Sequence, residues 1–144
     1  MLNRFYVDNI INTALAEDIN YIDVTTDNLL QDGDVSEAYF VAKDSGILCG
    51  IDVAARVFDL AGGNVEKEIL LKDGAPIKKG DYIAFFRGSA KTLLKGERTA
   101  LNLIQHMSGI ATAANECVKL VEGTNASIAD TRKTLPGLRA LQKY

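Results

Sequence analysis

The sequence predicts an α+β domain, a helix and β layer, followed by the opening of a second, α/β unit. Three observations carry that expectation. Helical and strand-like periodicities alternate through residues 2–88 with turn formers between them. The longest periodic run, from about Lys91 to Val121, is helical. Beyond it, a short apolar run ending at Asp130 gives way to a cation-rich turn and then to Pro136-Gly137, a pattern of strand, loop and helix.

Residues 2–16 read as an amphipathic helix in which Leu2, Phe5, Ile10, Ala14 and Leu15 share a face and Arg4, Asp8 and Asn12 face water. Asp23-Val24-Thr25-Thr26-Asp27 is rich in capping and turn formers, and Gly33 between two aspartates marks a loop. SEAYFVAK, residues 36–43, alternates as a strand does, and Ser45-Gly46 breaks it. Val53, Ala54, Val57, Phe58 and Leu60 return to helical spacing, with Gly62-Gly63 as the stop. EKEILLKD and YIAFFRG are short strands, with DGAPIKKGD supplying turns. In the long periodic segment Ser108-Gly109 is an interruption, which predicts two helices or one bent helix. Gly123 ends it, ASIAD (126–130) is a short strand, and a helix starts near Pro136, a residue whose missing N–H suits a first helical turn.

With 144 residues, 47% of them hydrophobic, 24% charged and only two prolines, the chain is expected to fold as one domain, or as one with a fragment of a second. Cys49 and Cys117 form no CxxC pair and have no histidine at ligand spacing, so neither a metal site nor a disulfide is expected, and a reducing cytoplasm is the simple inference. Arg4 and Asp8 interrupt what a signal peptide would need as an apolar stretch, and no later run approaches the roughly 20 apolar residues of a membrane span. The net charge of −3 is unevenly distributed. Residues 1–86 carry 7 basic and 15 acidic side chains, a net −8, whereas residues 87–144 carry 9 and 4, a net +5. Such a balance argues against general nucleic-acid binding and suits either a small polyanionic ligand near the basic part or merely solvated helix faces.

Asp130-Thr131-Arg132-Lys133 follows a predicted strand, the place where α/β folds bind ligands. Arg engages a carboxylate or phosphate through two parallel hydrogen bonds and Lys adds a compact charge, so Arg132 and Lys133 with the Thr131 hydroxyl can hold a dianion; the alternative is a solvated turn ahead of a helix cap at Thr134. Arg98, in Glu97-Arg98-Thr99, must reach out of a largely apolar helix face, and pairing with Glu97 or a neighbouring turn is its plainest reading. His106, the single histidine, has no carboxylate or cysteine close in sequence and reads as an ordinary helix residue. GSAKT (88–92) fails as a phosphate loop, because Ala90 precedes its lysine and Phe85 stands at the first glycine position. Lys78-Lys79 in DGAPIKKGD resembles the turn of a biotinyl or lipoyl carrier, but solvated turn lysines fit better.

Three stretches together, ALAEDINYIDVTT (14–26), KGERTALNLIQHMSGIAT (95–112) and DTRKTLPGLRALQKY (130–144), in this order and spacing, resemble the quinolinate phosphoribosyltransferases, the carboxylating nicotinate-nucleotide pyrophosphorylases of NAD synthesis. The resemblance spans the whole chain and rests mainly on the second and third stretches. It implies an N-terminal α+β substrate-closing domain over residues 1–105 and the start of an incomplete α/β barrel over 106–144, the chain being the first half of an enzyme. It implies substrate-binding roles for Arg98, through the ERTALN motif, and for Thr131, Arg132 and Lys133, through TRK; it assigns no catalytic or metal-ligating residue and leaves His106 without a role. The implied reaction joins quinolinate to phosphoribosyl pyrophosphate, releasing pyrophosphate and carbon dioxide and leaving nicotinate mononucleotide, with Mg2+ held by residues outside this chain. Implied too are a homodimer or higher assembly with shared sites, a cytoplasmic location, and no nucleic-acid or membrane partner. The alternatives are the related pyrophosphorylase-like protein of molybdenum-transport operons and a non-catalytic remnant that only oligomerises.

Overall fold

A side-chain cap opens the first helix. The structure, a computed structural model, describes residues 2–19 and 24–144. The Asn3 carboxamide oxygen accepts hydrogen bonds from the backbone N–H groups of Phe5 and Tyr6, and helix α1 (Arg4–Asp18) follows. It buries Val7, Ile11 and Leu15, a stripe at four-residue spacing. That corrects the expected face. Phe5 is 77% exposed, and Asp8, expected in water, accepts two hydrogen bonds of 2.9 Å from the Arg56 guanidinium. Spacing rather than bulk decides which side chains stack along a helix. Asp23 lies outside the described residues; the stretch after it forms a helix, α2 (Val24–Leu29), rather than a turn.

The next elements are β1 (Val35–Val41), β2 (Gly46–Ile47), α3 (Ile51–Ala61), β3 (Val65–Ile69), β4 (Pro76–Ile77) and β5 (Tyr82–Ser89). β1, β5 and β3 make an antiparallel sheet with β5 in the centre, and β2 pairs with β4 in a separate two-stranded ladder. The β4 pairing was not expected within DGAPIKKGD, where only turns were read. Lys78 and Lys79 are exposed there, as solvated turn residues are. On the core side, Phe40 of β1 and Phe86 of β5 meet Phe58 of α3, with ring centroids 4.7–6.1 Å apart. Asp73 accepts the backbone N–H of Ile51 at 3.0 Å and so caps the start of α3 from a distant loop.

Ser89 caps the long helix α4 (Ala90–Val121), a single element of 32 residues. Of the two expected outcomes at Ser108-Gly109, a break into two helices does not occur. A glycine in a helix interior costs about 1 kcal/mol relative to alanine, which packing of the preceding turns offsets. Ser108 directs its hydroxyl to another element, donating to the Cys49 carbonyl at 3.1 Å and accepting the Cys49 N–H at 3.0 Å. α4 also runs without a break through positions 105 and 106.

After α4 the expected strand at 126–130 is absent: those residues are exposed and belong to no ladder among the described residues. An apolar run becomes a strand only where another strand accepts its hydrogen bonds. The final helix α5 (Arg139–Gln142) begins three residues after Pro136, because Gly137 takes a left-handed φ of +82° that closes a turn first. Leu141, 2% exposed, docks α5 against the body. No helix among the described residues is long and apolar enough to cross a membrane.

Candidate functional site

The cations of the TRK turn are presented rather than neutralised. Thr131, Arg132 and Lys133 are all exposed. The Thr131 hydroxyl accepts the Lys133 N–H at 3.2 Å, the Arg132 carbonyl accepts from the Arg139 guanidinium at 3.4 Å, and the Thr134 hydroxyl accepts from Arg139 Nε at 3.1 Å. Arg139, which sequence reading left without a role, thus holds the backbone of the turn from α5. Thr134 is a partner of that guanidinium, not the cap of a helix. Asp130, the one carboxylate next to the turn, is drawn to Lys143 at 3.0 Å. The side chains of Arg132 and Lys133 have no ion-pair or hydrogen-bond partner among the described residues. Two adjacent cations left in this way raise the local potential for an anion, and Arg adds a fork that matches a carboxylate.

The segment is tied to the rest of the fold by few links. Tyr6 Oη on α1 donates to the Gly137 carbonyl. Gln142 on α5 meets His106 on α4, Nε2 to Nε2, at 3.0 Å. A cleft of about 540 Å³ lies beside these links, bounded by Met107 and Ala111 of α4, Leu141 and Gln142 of α5, and Asp130 and Tyr144.

Arg98 is elsewhere. It projects from the first half of α4 with its side chain 67% exposed and forms an ion pair with Asp18 at the end of α1, Nε to Oδ1 at 3.1 Å. The expected partners, Glu97 or a neighbouring turn, are replaced by a residue 80 positions away. No hydrogen bond or ion pair joins Arg98 to Thr131, Arg132 or Lys133 among the described residues. The structure thus keeps the three turn residues together and sets Arg98 apart. The ALAED stretch contains Asp18, so the signal for this pair was present in the sequence without a partner to attach to it.

The HMSGIAT stretch ties α4 to β2 and the loop that follows it. Thr112 Oγ1 accepts the Ile47 N–H at 2.9 Å and donates to its own helix at the Ser108 carbonyl, 2.7 Å away. With Ser108 on Cys49, two hydroxyls one turn apart bond backbone groups of Ile47 and Cys49. The arrangement contains cations and hydroxyls suited to binding and orienting an anion. Among the described residues, no three His, Cys, Asp or Glu side chains converge on a position that could hold a metal ion.

Known proteins match this chain and its fold closely. The family model for the N-terminal domain of quinolinate phosphoribosyl transferase matches residues 23–108, and that for the C-terminal domain matches residues 110–144. The carboxylating nicotinate-nucleotide pyrophosphorylase of Mycobacterium leprae is 45% identical over 137 residues, covering 93% of this chain and 48% of the relative. A probable enzyme of the same name from Bacillus subtilis is 42% identical over 144 residues, 99% of this chain and 49% of the relative. Among solved structures, NadC from Streptococcus pyogenes superposes with a TM-score of 0.94 at 35% identity, covering 99% of this chain and 52% of that one. The nicotinate-nucleotide pyrophosphorylase of Francisella tularensis gives 0.93 at 35% identity, covering 100% and 51%. The chain spans about half the length of these relatives, and its mixed α/β fold is theirs over that half. With both family models matched in sequence order and the fold shared from end to end, the chain belongs to the quinolinate phosphoribosyltransferase family.

Proposed function

We propose that the chain supplies the quinolinate-binding cations of an enzyme that transfers phosphoribose to quinolinate and decarboxylates the product to nicotinate mononucleotide. The single observation that carries this reading is the pair of unneutralised cations, Arg132 and Lys133, held on a backbone fixed by Arg139 in a member of this family. A pyridine ring with two adjacent carboxylates calls for more than one cation, and Arg132 and Lys133 offer a fork and a point charge side by side. Loss of carbon dioxide leaves negative charge on the ring, and fixed cations stabilise it most where they need not reorganise. Ribosyl transfer through a cation-like sugar depends on positioning, so no nucleophilic Ser or Cys pair is required of this half. The Mg2+ that the family resemblance implies would be held by residues outside this chain.

Arg98 fits this reading as a contribution to the site of a second copy. Its distance along the fold from the TRK turn and its outward projection support that role, with Asp18 keeping the guanidinium extended until a dianion competes for it. In dimers mixed from Arg98→Ala and Arg132→Ala forms of the active enzyme, about half the activity should then return, because one site of a two-fold pair escapes both changes. No recovery in proven mixed dimers would return Arg98 to its own subunit.

The direct test is a calorimetric titration of pyridine-2,3-dicarboxylate. Arg132→Ala should weaken binding by about 2–3 kcal/mol, the scale of a charge-assisted hydrogen bond, whereas Lys119→Ala on the exposed end of α4 should change it by less than about 0.5. Equal effects would remove the turn from the site. Pyrophosphate release with quinolinate and phosphoribosyl pyrophosphate separates this function from that of the molybdenum-operon relative, and an absence of any small-ligand binding would favour a purely oligomerising role.

A further inference from the structure

We propose that His106 is a positioning residue for the Thr131–Lys133 turn, acting through the side-chain amide of Gln142. The geometry fixes the direction of each hydrogen bond. Leu135, two residues beyond Lys133, has a backbone N–H that can only donate, and it points at Gln142 Oε1 from 2.9 Å. That contact settles which end of the Gln142 amide is oxygen, so its NH2 group faces His106 Nε2 at 3.0 Å. An NH2 group requires an acceptor, and His106 therefore presents a lone pair at Nε2 and carries its hydrogen on Nδ1. The result is a one-way relay: α4 holds the α5 amide, and the α5 amide holds the chain just after the cations.

Three features make this relay more than a helix contact. Gln142 is the residue of α5 that reaches the chain after the cations and the body of the fold with one group, since both of its amide ends are used. Arg139, one turn earlier on the same helix, grips Thr134 and the Arg132 carbonyl, so rotation of α5 would displace the backbone of the turn directly. The chain from 122 to 133 is exposed throughout, so beyond the docking of α5 by Leu141 it is polar links that position the turn. His106 thus acts on the anion site without touching the anion, and this part of the inference rests on the substrate reading given above.

The test uses the 15N-labelled 144-residue chain. Long-range nitrogen–proton correlations on the His106 ring should show Nε2 without a proton and Nδ1 with one; a proton on Nε2 overturns the proposal. Hydrogen exchange at the Leu135 amide should become about fivefold faster in His106→Leu and in Gln142→Leu, the loss of one ordinary hydrogen bond. It should return to the wild-type rate in His106→Gln, whose amide oxygen can accept near the position of Nε2. The Ala54 amide in α3, bonded to the Gly50 carbonyl at 2.9 Å, reports on global unfolding and should stay protected throughout. An unchanged Leu135 rate in His106→Leu with Ala54 protected would overturn the proposal. Should that variant unfold, His106→Gln and the ring tautomer still decide. Pyridine-2,3-dicarboxylate should bind about fivefold more weakly to His106→Leu, normally to His106→Gln, and be lost in Arg132→Ala. Unaltered binding in His106→Leu despite faster exchange would overturn the positioning role, whereas binding to none of the proteins would remove the substrate reading and leave the Leu135 result to judge the relay.

Discussion

The two halves of α4 share one hydrogen-bond ladder and little else. From Ala90 to Met107 nine residues are buried, and this stretch packs against α3, α1 and the sheet. From Ser108 to Val121 no residue is buried, and Leu120 is 84% exposed. The first half is held by apolar burial, the second by continuity with the first and by the hydroxyls of Ser108 and Thr112. The contrast teaches where each kind of work is done. Rigidity comes from the buried half, while the cation-bearing turn follows the exposed half along the chain and is tied back to the body by Leu141 and by polar bonds to Tyr6 and His106.

The sharpest way to break that comparison is to truncate equivalent side chains in each half. Ile104→Ala removes a side chain that is 5% exposed and should cost about 2–4 kcal/mol in denaturant unfolding, from lost burial and the cavity left behind. Leu120→Ala should stay within about 0.5 kcal/mol. Similar costs would mean that the outer half is packed more tightly in solution than its exposure indicates.

Glycines give a second contrast, of somewhat smaller size. A Cβ on Gly96 would sit 2.8 Å from a Phe58 ring carbon, so α3 and α4 approach closely only because that position lacks a side chain. Gly96→Ala should destabilise by about 1–3 kcal/mol through overpacking. Gly109 has nothing within 4 Å of such a Cβ, and Gly109→Ala should stabilise this chain by about 0.5–1 kcal/mol, the ordinary helix preference. A loss of stability at Gly109 would show that the outer half has a neighbour in solution.

The buried half was the legible half. The helical period of Leu93, Ala100, Leu103, Ile104 and Met107, the alternation of β1 and the Gly62-Gly63 stop are all local signals, and each element formed where it was expected. The face of α1 was misread in part: Leu15 belongs to it as expected, but Phe5 drew the rest of the stripe toward itself, away from Val7 and Ile11. The strand at 126–130 failed because strand formation depends on a partner, which no local pattern reveals. For the site, the residue types of the TRK turn were visible, but their supports were not. Arg139 acts on its own turn, but Gln142 reaches His106 across 36 positions and Tyr6 reaches Gly137 across 131, links that only the fold brings together.

Between the burial contrasts and the surface lies the hydroxyl link. Thr112→Val keeps the shape of the side chain but leaves the part-buried Ile47 N–H without its partner, which should cost about 1 kcal/mol. Thr112→Ser keeps the hydroxyl and should recover most of that loss. If Thr112→Ser costs more than Thr112→Val, the methyl group rather than the hydrogen bond joins β2 to α4.

The smallest effect on stability, and the most local, concerns the two free thiols. Cys49 packs beneath α4 beside Ser108, and burial, reinforced by the negative charge of Asp73, pushes its thiol up to about 11. Cys117 lies on the exposed half of the same helix. At pH 8 a native sample should take up one equivalent of an alkylating agent quickly, at the exposed Cys117, while the half-buried Cys49, its thiol held protonated, lags behind. Raising the pH should bring Cys49 into reaction only as it approaches about 11, provided the chain remains folded, with peptide mass mapping used to follow each site. Rapid modification of Cys49 at pH 8 would show that residues 46–50 part from α4 in solution, and with them the division between a held half and a hanging one.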